Sequence, residues 1–158
     1  MITSLTQLIV HPLRATQALQ LYVWFIMALL LIQGAGSLSL RLSPALESGT
    51  PEPFATIMNG NVPHAILHIA WGVFGLLFMF TQRGDRARLG LGFTFSAFYT
   101  GLGFLGLFVS NPFGLRLAWQ ENLFHLTVGP LMVFLSLLAW RKPEFILWPG
   151  TGRLFASG

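Results

Sequence analysis

Residues 64–82 read HAILHIAWGVFGLLFMFTQ, a stretch without one Asp, Glu, Lys or Arg. A bilayer core about 30 Å thick needs roughly 20 mostly apolar helical residues to cross it. In lipid the backbone must satisfy its own hydrogen bonds, so a run of this kind is a helix. The period-2 alternation of a membrane strand is absent from it. Three further runs share its character, at 18–38, 89–109 and 123–140, and none of them contains an Asp, Glu, Lys or Arg. Around these runs the chain of 158 residues is 54% hydrophobic and 9% charged, against about 25% charged in soluble domains. The expected fold is all-α: an integral membrane four-helix bundle over 18–141, with an arm at 1–17 and a cytoplasmic tail at 142–158.

The first run is long enough to span, and no small-residue cleavage site follows it, so it reads as a span and not as a cleaved signal peptide. There is no cysteine, which excludes disulfides, thiolate metal sites and cysteine nucleophiles and says nothing of compartment. Arg14, Arg83, Arg86, Arg88, Arg141, Lys142 and Arg153 fall on one side of the spans, Arg41 and Arg116 on the other. That asymmetry puts both termini inside, N-in and C-in, and the loops 40–63 and 110–122 outside. The basic excess is then a topology signal, and no nucleic-acid partner is expected. Trp119 would mark the outer interface, Trp140 and Trp148 the inner one. The mildly amphipathic stretch 2–17, with Pro12 near a helix start, is expected to lie along the inner interface. The loop 40–63 carries Pro44, Pro51, Pro53, Pro63, Gly49 and Gly60. It is expected to be irregular, and long enough to cap the bundle or touch a partner.

Two spans carry matching histidines. His68 stands four residues before Gly72, and His125 four before Gly129. With both spans running outside to inside, the chain reads as two helical hairpins in parallel duplication. Both histidines then lie near the outer ends of their helices, where an ionisable residue is a functional candidate. Three readings are open. In the first, His68 and His125 ligate a tetrapyrrole, chlorophyll or haem, with Gly72 and Gly129 leaving room for the flat macrocycle. His64 doubles the option on its helix, and Glu121 or Thr127 could hold the far ring nitrogen of His125. In the second, the histidines cap or cross-link helices, and the glycines let those helices come close. In the third they belong to a proton or ion path, which usually needs carboxylates or lysines at mid-membrane depth, absent here. No metal centre made by the protein alone is expected.

In the third span Gly92, Ser96, Thr100 and Gly103 form a small-residue stripe suited to close helix packing. Phe95, Phe98 and Phe104 are expected on the opposite face, toward lipid or a partner. Gln33 is expected to bond a neighbouring helix. Pro149-Gly150-Thr151-Gly152 lacks the lysine of a phosphate-binding loop. Glu47, Glu52, Asp85, Glu121 and Glu144 are scattered over both sides, so no paired carboxylates and no catalytic residues are implied.

The segment Asn122-Leu-Phe-His125-Leu-Thr-Val-Gly129 resembles the Asn-x-x-His-Leu-x-x-Gly signature of a widespread bacterial family of small four-helix membrane proteins of unknown function. The resemblance covers about residues 15–142 and implies a four-helix integral membrane protein without a catalytic residue. In the first copy Ala65 stands where the asparagine would be. The expected function is a non-enzymatic accessory or scaffolding subunit of a larger respiratory or photosynthetic membrane complex, with membrane lipids and other membrane subunits as partners. The expected location is a bacterial inner, intracytoplasmic or thylakoid membrane. A tetrapyrrole-binding protein and a small-solute transporter are the alternatives.

Overall fold

The structure is a computed structural model, and it describes residues 12–58, 60–82 and 84–148. Most of the expected arm, the end of the expected tail with Arg153, and Arg83 lie outside the described residues. Each apolar run forms a helix, displaced or extended at its ends: α1 is Ala15–Leu42, α4 Val62–Thr81, α5 Asp85–Gly106 and α6 Trp119–Arg141. All four are long and apolar enough to cross a membrane, which makes this a multi-pass, all-α membrane protein.

The boundaries follow from local chemistry. α1 continues past Gly36 and stops at Ser43, whose φ of −135° and ψ of 97° are extended, because the following Pro44 crowds a helical conformation at the residue before it. The segment expected as an irregular loop is largely helical: α2 is Pro44–Gly49 and α3 Glu52–Ile57. Pro44 and Pro53 sit in the first turns of these helices, where a missing N–H interrupts no bond. α4 is capped by Asn61, whose side chain accepts from the His64 backbone N–H at 3.2 Å. The same side chain donates to the Gly114 carbonyl at 2.8 Å, tying the start of α4 to the turn before α6.

α1 packs mainly on α4, α5 mainly on α6, and α1 also meets α6. Trp71 closes the remaining side, its ring 5.5 Å from both Phe95 and Phe98 of α5. The core they enclose includes Val23, Met27, Leu30, Phe95, Tyr99 and Met132, all fully buried. Phe25, Ile32, Phe80 and Phe134 point outward, as side chains facing lipid do. At the end of the bundle opposite α2 and α3, strand β1 (Leu13–Arg14) pairs antiparallel with β2 (Ile146–Trp148), and Arg14 meets Glu144 at 2.6 Å.

The small-residue stripe of α5 lies along α6. A Cβ on Gly103 would stand 2.9 Å from Leu126. Thr100 fills the notch left by Gly129, and Ser136 the notch left by Gly92. Phe95 departs from the expected outward face: it is 0% exposed and stacks on Tyr99 at 4.2 Å. Positions 92, 95, 96, 99 and 103 share one helical face, so Phe95 belongs with the stripe. Phe98 and Phe104 are exposed.

Candidate metal centre

His64 and His68 lie one turn apart on the same face of α4, and His125 lies in the second turn of α6. All three point into the bundle, with exposures of 1%, 2% and 0%. The Nε2 atoms of His64 and His68 are 3.1 Å apart, so one ring donates to the other. His125 comes in from the opposite helix, its ring centroid 5.7 Å from that of His64 and 6.1 Å from that of His68. One ring nitrogen from each of the three falls within 4.8 Å of the others. Neither nitrogen of His125 has a hydrogen-bond partner among the described residues. Tyr99 stacks over His68 at 6.1 Å and meets His125 edge-on at 5.1 Å.

Local structure fixes these positions. The Asn61 cap and Pro63 set the first turn of α4, and with it the direction of His64. On α6, Asn122 donates to the Gly106 carbonyl at 2.9 Å, and Gly106 has no room for a Cβ because Asn122 occupies it. The asparagine of the Asn-x-x-His pattern thus ties the C-terminal end of α5 to α6, three residues before His125. Asn61 does similar anchoring seven residues before His68. The sequence reading missed Asn61, although an asparagine two residues before a proline at a helix start is a recognisable cap.

Several expected roles are corrected. Gly72 and Gly129 do not open onto space for a macrocycle. A Cβ on Gly72 would lie 2.8 Å from the Met27 carbonyl and the Leu31 backbone, and Gly129 is packed against Thr100. Both are close-approach points between helices. Thr127 donates back to the Leu123 carbonyl at 2.7 Å and is exposed, so it does not hold His125. Glu121 makes no hydrogen bond to His125 either; it is 9% exposed, and its Oε2 has no partner among the described residues. His64, second to His68 in the sequence reading, is a full member of the cluster. Gln33 does bond a neighbouring element, its amide donating to the Ile57 carbonyl of α3 at 3.1 Å.

Axial ligands on opposite faces of one metal stand about 4 Å apart, given metal–nitrogen bonds of 2.0–2.1 Å. His64 and His68, with nitrogens in direct contact, cannot flank a macrocycle. Nitrogens around one tetrahedral ion stand about 3.3 Å apart by the same bond length. The 3.1 Å pair is already at that spacing, and the His125 nitrogen lies within 4.8 Å of both. No protein metal centre is expected from the sequence; the bundle nevertheless brings three imidazoles to ligand spacing. Imidazole suits zinc, copper, iron and nickel, and three protein ligands leave a fourth position open.

Searches of curated proteins and of solved structures return no match. A family described as Domain of unknown function (DUF4383) matches residues 45–138. That span takes in most of α2, all of α3 to α5, most of α6, all three histidines and Glu121. Because the match covers more than half of the chain, this protein belongs to the DUF4383 family.

Proposed function

We propose that this protein binds a transition-metal ion in the membrane through His64, His68 and His125. The observation that carries the reading is the pair of partnerless nitrogens on a fully buried His125, set beside the paired nitrogens of His64 and His68. Buried polar groups in native proteins are almost always satisfied. An ion here would take one nitrogen from each of the three rings and so give His125 a partner at one of its two nitrogens. Shallow placement in the first two turns of α4 and α6 keeps the ion near one membrane face, which suits holding or delivering it there.

The test is Co²⁺ or Zn²⁺ binding to the full chain, stripped of metal with a chelator and held in nanodiscs. One ion per chain is expected, with cobalt giving the visible bands of a tetrahedral site. His64→Ala, His68→Ala and His125→Ala should each weaken binding at least tenfold. A wild-type chain that takes up no ion would sink the proposal. A Soret or chlorophyll band in protein purified from its host would favour the tetrapyrrole reading instead. The accessory-subunit role is compatible with a metal-holding bundle in a bacterial membrane, and predicts migration in a large complex on native gels after gentle solubilisation. Its support is the lack of any catalytic set in the sequence.

A further inference from the structure

We propose that the pocket between α1, α3 and α6 is the route by which a divalent cation reaches the three histidines, with Glu121 as its capture group. The inference rests on the metal-binding reading above. The pocket has a volume of about 260 Å³ and is lined by Gln33, Thr56, Ile57, Glu121 and Phe124 among others. It lies at the end of the bundle where the histidines are. Phe124 lies between it and the histidines: this lining side chain has its ring 6.4 Å from that of His68 and 5.9 Å from that of His125. Glu121 stands one helical turn before His125, hence on the same face of α6.

Glu121 is more than nine-tenths buried and its Oε2 is unpartnered among the described residues. A second acceptor, the Gln33 Oε1, is buried without a partner on the same pocket. Two oxygen acceptors on the pocket wall and three imidazoles behind Phe124 offer a cation hard ligands and nitrogen ligands at one end of the bundle. A partly hydrated divalent ion can exchange waters for the oxygens first and the imidazoles after. The carboxylate also halves the charge that such an ion would carry into the bundle.

A second cavity, about 520 Å³, lies between Asn61, Asn111, Arg116 and Ala118. It approaches the same end of α4, with the helix-capping Asn61 on its wall. The Arg116 guanidinium on that wall repels a cation, which decides between the two approaches. The favoured wall carries the carboxylate.

The experiment is stopped-flow loading of metal-stripped chain in nanodiscs with Co²⁺, followed by the cobalt absorption bands. Glu121→Gln is expected to slow loading at least tenfold while the final stoichiometry stays at one ion per chain, which also certifies its fold. Thr56→Trp, which adds bulk to an exposed residue of the pocket lining and is none of the proposed ligands, should slow loading by a similar factor. Arg116→Gln should leave the rate unchanged. Loading of Glu121→Gln and Thr56→Trp at the wild-type rate would overturn the proposal. So would faster loading by Arg116→Gln, which would place the route at the second cavity. If the wild-type chain takes up no cobalt at all, the metal-binding reading itself falls, and this one with it.

Discussion

A neutral imidazole has one donor and one acceptor, and leaving a buried polar group unsatisfied costs about 1–3 kcal/mol. His125 carries two such groups at 0% exposure. A histidine kept for packing would normally bond across to its neighbour, as His64 and His68 do. The two roles therefore differ in what removal does. Replacing both polar ends with an apolar group of similar shape is nearly neutral or stabilising. His125→Leu is thus expected to leave the metal-free chain at least as stable as wild type, measured by unfolding in mixed micelles. It should at the same time abolish the stabilisation that metal gives, which for wild type is about 2.7 kcal/mol at one hundred times the dissociation constant. A marked loss of metal-free stability would make His125 a structural cross-link. The sequence exposed His68 and His125 as candidates because ionisable residues in apolar runs stand out. The unpaired state of His125 is a property of its neighbours and is invisible in the chain.

At the scale of elements, α5 and α6 meet through notches. Thr100 sits where a side chain on Gly129 would have to go, with its backbone N 2.7 Å from the position of that missing Cβ. Gly129→Val asks the backbone of α5 to move, and overpacking of this kind costs about 1–3 kcal/mol. Unfolding midpoints should fall accordingly. Gly101→Ala, where nothing lies within 4 Å, should leave the midpoint unchanged or raise it. An undiminished Gly129→Val would mean that α5 and α6 are not held at this distance. The stripe was readable from spacing because small residues at three- and four-residue intervals share a face. The place of Phe95 was not, since a large ring beside a small-residue stripe can face lipid or be covered by a neighbour. Here Trp71 and Tyr99 cover it. The helices of 44–57 were also obscured: proline and glycine counts mark breaks, and the two prolines in first-turn positions start helices instead.

At the scale of the molecule, four charge-free runs sufficed for the bundle, because lipid leaves a spanning backbone little choice but helix. Helix rotation about the bundle axis was not legible, since each span is apolar nearly all round, and that rotation is what brings His64, His68 and His125 together. Orientation in the membrane decides which compartment supplies the ion. The basic residues at 14, 86, 88, 141 and 142 outweigh those at 41 and 116, so the end bearing α2, α3 and the histidines is expected on the outer side. The chain has no cysteine, and single cysteines can therefore report topology in an otherwise native sequence. Ser48→Cys, on exposed α2, should react with a membrane-impermeant maleimide in spheroplasts. Glu144→Cys, on the exposed segment after α6, should react only once the membrane is opened. The reverse pattern would turn the bundle over, place the Glu121 pocket at the cytoplasmic face, and make the cytosol the source of the metal.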